Sequence, residues 1–227
     1  MIDALINKLD NFEVVRRQIA LILLTETAQQ QVLAAAADED PDDWKFDVYE
    51  ERFNPWEKWR DRECGSDPSP IVNVSFDNSR FDGSSSNIVE RQRCSGAFNI
   101  DCYGFGVSEN VEGGGHTIGD MAAAEACQRA VRFVRNVLMS NIYTYLALDS
   151  GPSTRFVGKR WIDSINQYQP EFNMTPAEKI VAARIVFRVD FNEFSPQNAP
   201  ETLELVTNSF TRAEDGQLIL EAGYDYT

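Results

Sequence analysis

The chain has a single histidine, His116, among 227 residues. That scarcity excludes the zinc signatures that need two histidines, and it makes any Ser-His-Asp or Cys-His mechanism rest on one residue in a Gly-rich turn. No GxSxG nucleophile elbow is present, and neither GxGxxG nor GxxxxGK(S/T) can be aligned on Gly113-Gly-Gly115. Helix N-termini attract anions, but Asp120 would repel a phosphate held at this turn. Glu57-Lys58 and Glu178-Lys179 are adjacent rather than separated by one residue, so the Glu-x-Lys pattern of a Mg²⁺-dependent nuclease is missing. These absences predict a chain with no catalytic, cofactor-binding or metal-ligating residues.

Cysteine is sparse and unpatterned. Cys64, Cys94, Cys102 and Cys127 stand 30, 8 and 25 positions apart, which matches no CxxC redox or zinc spacing and predicts reduced thiols. Long apolar runs are missing too. The longest, residues 19–24, has six residues, too few to cross a bilayer or to form a secretory h-region, so neither membrane insertion nor export is expected. Positive charge is in deficit, with 21 basic against 36 acidic residues and a net charge of -15. Such a chain repels nucleic acid backbones and anionic membranes, which excludes conventional DNA binding. The acidic excess is densest at residues 38–43, read as a solvated turn after a helix, because the Gly and terminal Glu of a calcium-binding EF-hand loop are missing.

What is present is a set of well-patterned elements. Residues 12–37 are strong helix formers, with Val15, Ile19, Ile22 or Leu23, and later Val32 and Leu33 at helical spacing. Residues 45–49 alternate Phe46 and Val48 with polar neighbours and read as a short edge strand. Val72, Val74 and Phe76 share one face of a strand over 71–76, and Phe98, Ile100 and Cys102 share one face of a second over 97–103. Between them, residues 77–96 form a connection far longer than the two to five residues of an ordinary hairpin loop. This long hairpin arm carries Arg80, Asp82, Glu90, Arg91 and Arg93. Arginines of that kind pair bidentately with carboxylates, so these five residues are the candidates for a subunit interface.

A helix is predicted over 120–146, capped by Thr117 and Asp120, with Ala126, Ala130, Val134, Val137 and Leu138 on its inner side. Arg129, Arg132 and Arg135 fall around its solvated side. Residues 155–172 read as a further strand or extended connection, and 181–194 as the longest strand, with Ala183, Ile185, Phe187, Val189 and Phe191 on one face. A last strand pair is expected over 203–211 and 217–220, turned at Asp215-Gly216. Together these elements predict one α+β domain over 1–227, a mostly antiparallel sheet with two long helices packed on one face. The arm at about 77–96 and a C-terminal extension at about 195–227 are its appendages.

Residues 98–106 (FNIDCYGFG), 122–139 and 183–194 (ARIVFRVDFNEF) resemble a tail-terminator or neck-region protein of tailed bacteriophages, over a stretch from Phe12 to Phe194. The resemblance implies helices on a mixed sheet and no catalytic residues. It implies a homo-hexameric ring that ends the tail tube and joins the tail to the head. Its partners would be copies of itself, the tail-tube protein, the sheath protein where a sheath exists, and neck or connector proteins. Genomic DNA would pass through the lumen without specific binding, and the protein would sit in the virion after assembly in the host cytoplasm. The longer 38–70 segment and the C-terminal extension depart from compact members of that group. A head-completion or connector adaptor, often of twelvefold symmetry, is the alternative within the virion. A metal-dependent nuclease-like enzyme using an unrecognised carboxylate cluster is the alternative outside it.

Overall fold

The computed structural model describes residues 9–56, 69–83, 91–111, 115–148, 157–170, 178–194, 205–211 and 218–225. Helix α1 spans Asn11–Ala36, and Asp10 opens it by donating its backbone N–H to Glu13 Oε2 at 2.9 Å. Its buried side holds Val15, Ile19, Ile22 and Leu23, as the spacing predicted, then continues to Thr27 and Ala34. Val32 and Leu33 are exposed instead, and the buried positions after Leu23 are the smaller Thr27 and Ala34. A 3₁₀ turn at Pro41–Trp44 carries the acidic run, with Asp40 accepting a hydrogen bond from the Asp42 N–H at 3.0 Å.

Strand β1 (Asp47–Glu50) pairs in parallel with β2 (Ile71–Phe81), and β2 pairs antiparallel with β3 (Arg91–Val107). Two three-residue strands, β4 (Glu109–Val111) and β5 (Gly115–Thr117), follow as a separate pair. Helix α2 spans Gly119–Met139. Strands β6 (Val157–Tyr168) and β7 (Glu178–Phe194) complete a five-stranded sheet of order β1-β2-β3-β7-β6. Strands β8 (Leu205–Thr211) and β9 (Leu218–Asp225) form a two-stranded sheet of their own, where a C-terminal strand pair was expected. The Asp215-Gly216 turn lies outside the described residues. The protein is α+β with a mostly antiparallel main sheet and two helices.

The central strands are longer than their apolar alternation suggests. β3 runs seventeen residues because β7 accompanies it from Arg91↔Phe194 to Val107↔Glu178, and backbone pairing needs no apolar side chain. One apolar cluster joins Val15, Ile19 and Leu23 of α1 and Ala130, Phe133 and Val134 of α2. On the sheet it takes in Val72, Val74, Phe98, Ile100, Ile185 and Phe187. Fully burying side chains of this size contributes roughly 1.5–3 kcal/mol each before entropy is counted. Gly104 and Gly106 of β3 lie under α2: a Cβ on Gly104 would overlap the backbone at Ala123 and Cys127, and one on Gly106 the backbone at Gly119 and Ala123. The absence of two side chains therefore brings helix and strand within backbone contact.

Three details of α2 correct the sequence expectation. Its start is Ile118, not a Thr117 cap, because Thr117 pairs with Glu109 in β5. Ser108 takes over the capping role by accepting the Gly119 N–H at 3.0 Å. Ala130, Val134, Val137 and Leu138 face inward as predicted, joined by Ala123, Cys127 and Phe133, but Ala126 is only half-buried, because the glycines of β3 turn Ala123 and Cys127 toward the strand. The helix stops at Met139, seven residues early, where Ser140 opens a short 3₁₀ turn at Asn141–Tyr143. Leu146 and Ala147 then take φ values of 54° and 50°, which no right-handed helix holds.

Candidate subunit interface

The arm predicted as a loop over 77–96 is in large part ladder. Beyond a bulge at Phe76/Asn78, β2 pairs Asn78 with Ala97, Ser79 with Gly96, Arg80 with Ser95 and Phe81 with Cys94. Apolar alternation ends at Phe76 because the following side chains are largely exposed, so pairing there leaves no hydrophobic signature. Of the five candidate residues, Arg80 and Asp82 are exposed at the end of β2, and the Asp82 N–H donates to the Arg93 carbonyl at 2.9 Å. Arg91 opens β3 opposite Phe194. Arg93 is exposed, yet its Nη2 already meets Asp190 Oδ2 of β7 at 3.2 Å. Glu90 lies outside the described residues. The hairpin therefore brings Arg80, Asp82 and Arg93 to one end of the sheet.

The sheet face opposite Val72 and Ile100 carries polar cross-strand rows. Asn73, Asp101, Arg184 and Asn166 stand side by side across β2, β3, β7 and β6. The Asn73 carboxamide accepts the Arg52 N–H at 3.1 Å and donates to the Arg52 carbonyl at 3.0 Å. Arg184 clasps Asp101 with two hydrogen bonds, and this contact holds its guanidinium more firmly protonated than usual. In the next row, Trp56 packs at 5.5 Å from the Tyr103 ring, whose hydroxyl burial pushes its pKa up. The segment after β1 thus lies over part of this face, with Ile71, Phe105, Ile180 and Ala182 buried beneath. Arg188 reaches Asp163 of β6 at 3.2 Å nearer the arm.

A cleft of about 500 Å³ opens between α1, the 3₁₀ turn at Pro41–Trp44 and α2. Trp44, Phe133 and Val137 line it with Glu26, Arg129 and Tyr143. The Tyr143 hydroxyl donates to Glu26 Oε1 at 2.5 Å, which pushes its pKa up to about 12, and Arg129 is paired with Asp43. Of the arginines read as a solvated stripe, Arg132 and Arg135 are exposed while Arg129 is half-buried. No group of three His, Cys, Asp or Glu side chains able to hold a metal occurs among the described residues. His116 falls in β5 opposite Asn110.

Cys94, Cys102 and Cys127 are buried and free. Burial pushes the thiol of Cys94 up to about 12 and that of Cys127 up to about 11, leaving neither poised as a nucleophile. Cys64 lies outside the described residues. The outer surface of α1 is apolar, with Leu21, Leu24 and Val32 each more than half exposed. By length and composition alone this helix passes as one able to cross a membrane, because the residues diluting its six-residue apolar run are mostly uncharged. Core helices of soluble proteins and N-terminal signal sequences have the same property; Val15, Ile19 and Leu23 are fully buried here.

Sequence reading missed the Asp101–Arg184 clasp. Alternation places each residue on the polar face of its strand, but the register that sets them opposite each other joins strands 83 positions apart. It also missed Trp56, since nothing in an irregular segment states which sheet face it will cover. Neither a protein-family model nor a curated protein matches this chain.

Proposed function

We propose that this chain is a structural virion protein, a homo-hexameric ring subunit that terminates the tail tube of a tailed bacteriophage and joins the tail to the neck. The observation that carries this reading is the mutual packing of the three segments on which the resemblance rests. Residues 98–106 lie in β3, paired along their length with β7, and residues 122–139 lie in α2. Cys127 of α2 donates its thiol to the Cys102 carbonyl of β3 at 3.4 Å. Three stretches scattered over about a hundred residues of sequence thus make one unit, which supports reading them together.

In this reading both helices cover one face of the sheet, and the hairpin beyond Phe76 is the arm that meets a neighbour through Arg80, Asp82, Glu90, Arg91 and Arg93. A closed ring joins two different patches of each subunit. The exposed Leu21, Leu24 and Val32 of α1 supply apolar area for the second. A net charge of -15 suits a lumen through which DNA slides without sticking.

Light scattering coupled to size exclusion, with negative-stain imaging, tests the proposal. Sixfold rings that bind the ends of tail tubes are expected. Twelvefold rings would favour the neck adaptor, and a persistent monomer at high concentration would count against both. Calorimetric Mg²⁺ binding together with nuclease activity would move the chain to the enzyme class.

A further inference from the structure

Strand β6 ends the main sheet on the side away from β1. Its inner side pairs with β7, and among the described residues no strand lies against its outer side. The first half is guarded as natural edges are. It carries Lys159 and Asp163, and its register is interrupted between Val157 and Arg160 and again between Ile162 and Ser164. The second half has no such protection. Residues 164–168 (SINQY) are regular, uncharged and free of proline, with Ile165 43% and Tyr168 37% exposed. Beside this stretch lies a groove of about 350 Å³ against α2, with Val131, Ile165 and Ala183 inside and Arg132 and Arg135 on its helical wall. No hydrogen bond or ion pair to either arginine is found among the described residues.

Strands β8 and β9 present the complementary problem. They pair from Leu205↔Asp225 to Thr211↔Leu218 in a sheet separate from the main one. An isolated two-stranded hairpin is marginally stable in water and gains stability by adding to a third strand. This segment is also the acidic counterpart of the groove: residues 195–227 carry Glu201, Glu204, Glu214, Asp215, Glu221 and Asp225 against Arg212 alone.

We propose that the β8–β9 hairpin of a second copy of this chain adds to the open half of β6, residues 164–168, with its carboxylates meeting Arg132 and Arg135 of α2. Main-chain hydrogen bonds supply the pairing and the two arginines select an acidic strand. The inference rests on the proposed ring, whose closure needs each copy to offer one patch and accept a different one. It adds the C-terminal extension, as an offered patch, and the β6 edge, as an accepting one, to the interface formed by the arm and α1.

The test uses two full-length chains, one carrying Gln167→Cys and an affinity tag, the other Ala222→Cys on the acidic strand β9, co-expressed and gently oxidised. A disulfide between tagged and untagged chains is expected in assembled particles, at least tenfold above a control pairing Gln167→Cys with Gln29→Cys. Rings that form without this crosslink would overturn the inference and leave the ring standing. Absence of any assembly would remove both. A chain bearing both cysteines that crosslinks only within itself at high dilution would also overturn it, since the occupant would then be its own hairpin. Arg132→Glu with Arg135→Glu should lower the intermolecular crosslink at least fivefold while the thermal unfolding of the subunit is unchanged. An unaltered yield would overturn the assignment of the groove.

Discussion

Arg184 of β7 holds Asp101 of β3 by two parallel hydrogen bonds, Nε to Oδ1 at 2.8 Å and Nη2 to Oδ2 at 2.9 Å, between residues directly opposite in the ladder. The two ends of this pair differ in exposure: the Asp101 side chain is 6% exposed and that of Arg184 44%. Removing the cation strands a buried carboxylate, whereas removing the carboxylate leaves a guanidinium that water can reach. Arg184→Ala should therefore destabilise the fold by about 3 kcal/mol and Asp101→Asn by only about 1 kcal/mol. Urea unfolding of both variants checks this, and equal losses would show that burial does not govern the pair.

The approach of α2 to β3 depends on hydrogen atoms at two positions. A Cβ at Gly106 would lie 2.6 Å from Ala123 N, and one at Gly104 would lie 2.9 Å from Cys127 Cα, both against backbone that cannot swing aside. Gly106→Ala and Gly104→Ala should each cost about 3 kcal/mol, since overpacking here has to move a helix. Gly83→Ala, with open space around its site, is the control and should shift the thermal midpoint little. A small effect at Gly106 would mean that α2 lies further from the sheet.

The buried thiols make stability fall in alkali. Their folded pKa values stand above the ordinary thiol value of 9.0, at about 12 for Cys94 and about 11 for Cys127. Raised values mean the unfolded chain loses its protons first, so the stabilising contribution is complete below pH 9 and declines as pH rises toward the folded values. The expected slope is about 1.4 kcal/mol per pH unit for each thiol. Denaturation series from pH 8 to 10.5 on the parent and on Cys94→Ala with Cys127→Ala should show a shallower decline in the variant. In the native protein at pH 8, iodoacetamide should leave Cys94, Cys102 and Cys127 unmodified until denaturant is added; rapid alkylation would contradict their burial.

The arm can be separated from the sheet that carries it. Residues up to Phe81 and from Arg91 onward belong to the ladder, so a deletion reaching into them would damage the fold. Replacing residues 84–90 with a short Asn-Gly turn, together with Arg80→Ser and Arg91→Ser, should leave the circular dichroism spectrum and melting midpoint close to those of the parent. Ring closure, followed by light scattering, should be lost. Intact rings would assign the interface to other surfaces.

Alternation in the sequence located the strands because a sheet half-buried on one face sorts its residues with period two. The Val72, Val74 and Phe76 set, the Phe98, Ile100 and Cys102 set and the Ala183 to Phe191 set all carried that signal, and all three supply core residues, with Phe76 packed against the core. Helix α1 was equally legible through Val15, Ile19 and Leu23. Strand ends were not. Asn78 to Phe81 and Arg91 to Ser95 pair through backbone groups that every residue carries, so no side chain announces them.

By itself, then, the sequence determined the class of the fold, the inward residues of the main strands and of the first half of α1, and the acidic character of the surface. These follow from local periodicity and composition. Tertiary structure alone decided where β2 and β3 stop, how α2 is rotated over Gly104 and Gly106, and that Asp101 meets Arg184. Each of those depends on which distant segment comes alongside, and the energy that selects the neighbour comes from contacts that exist only once the chain has closed on itself.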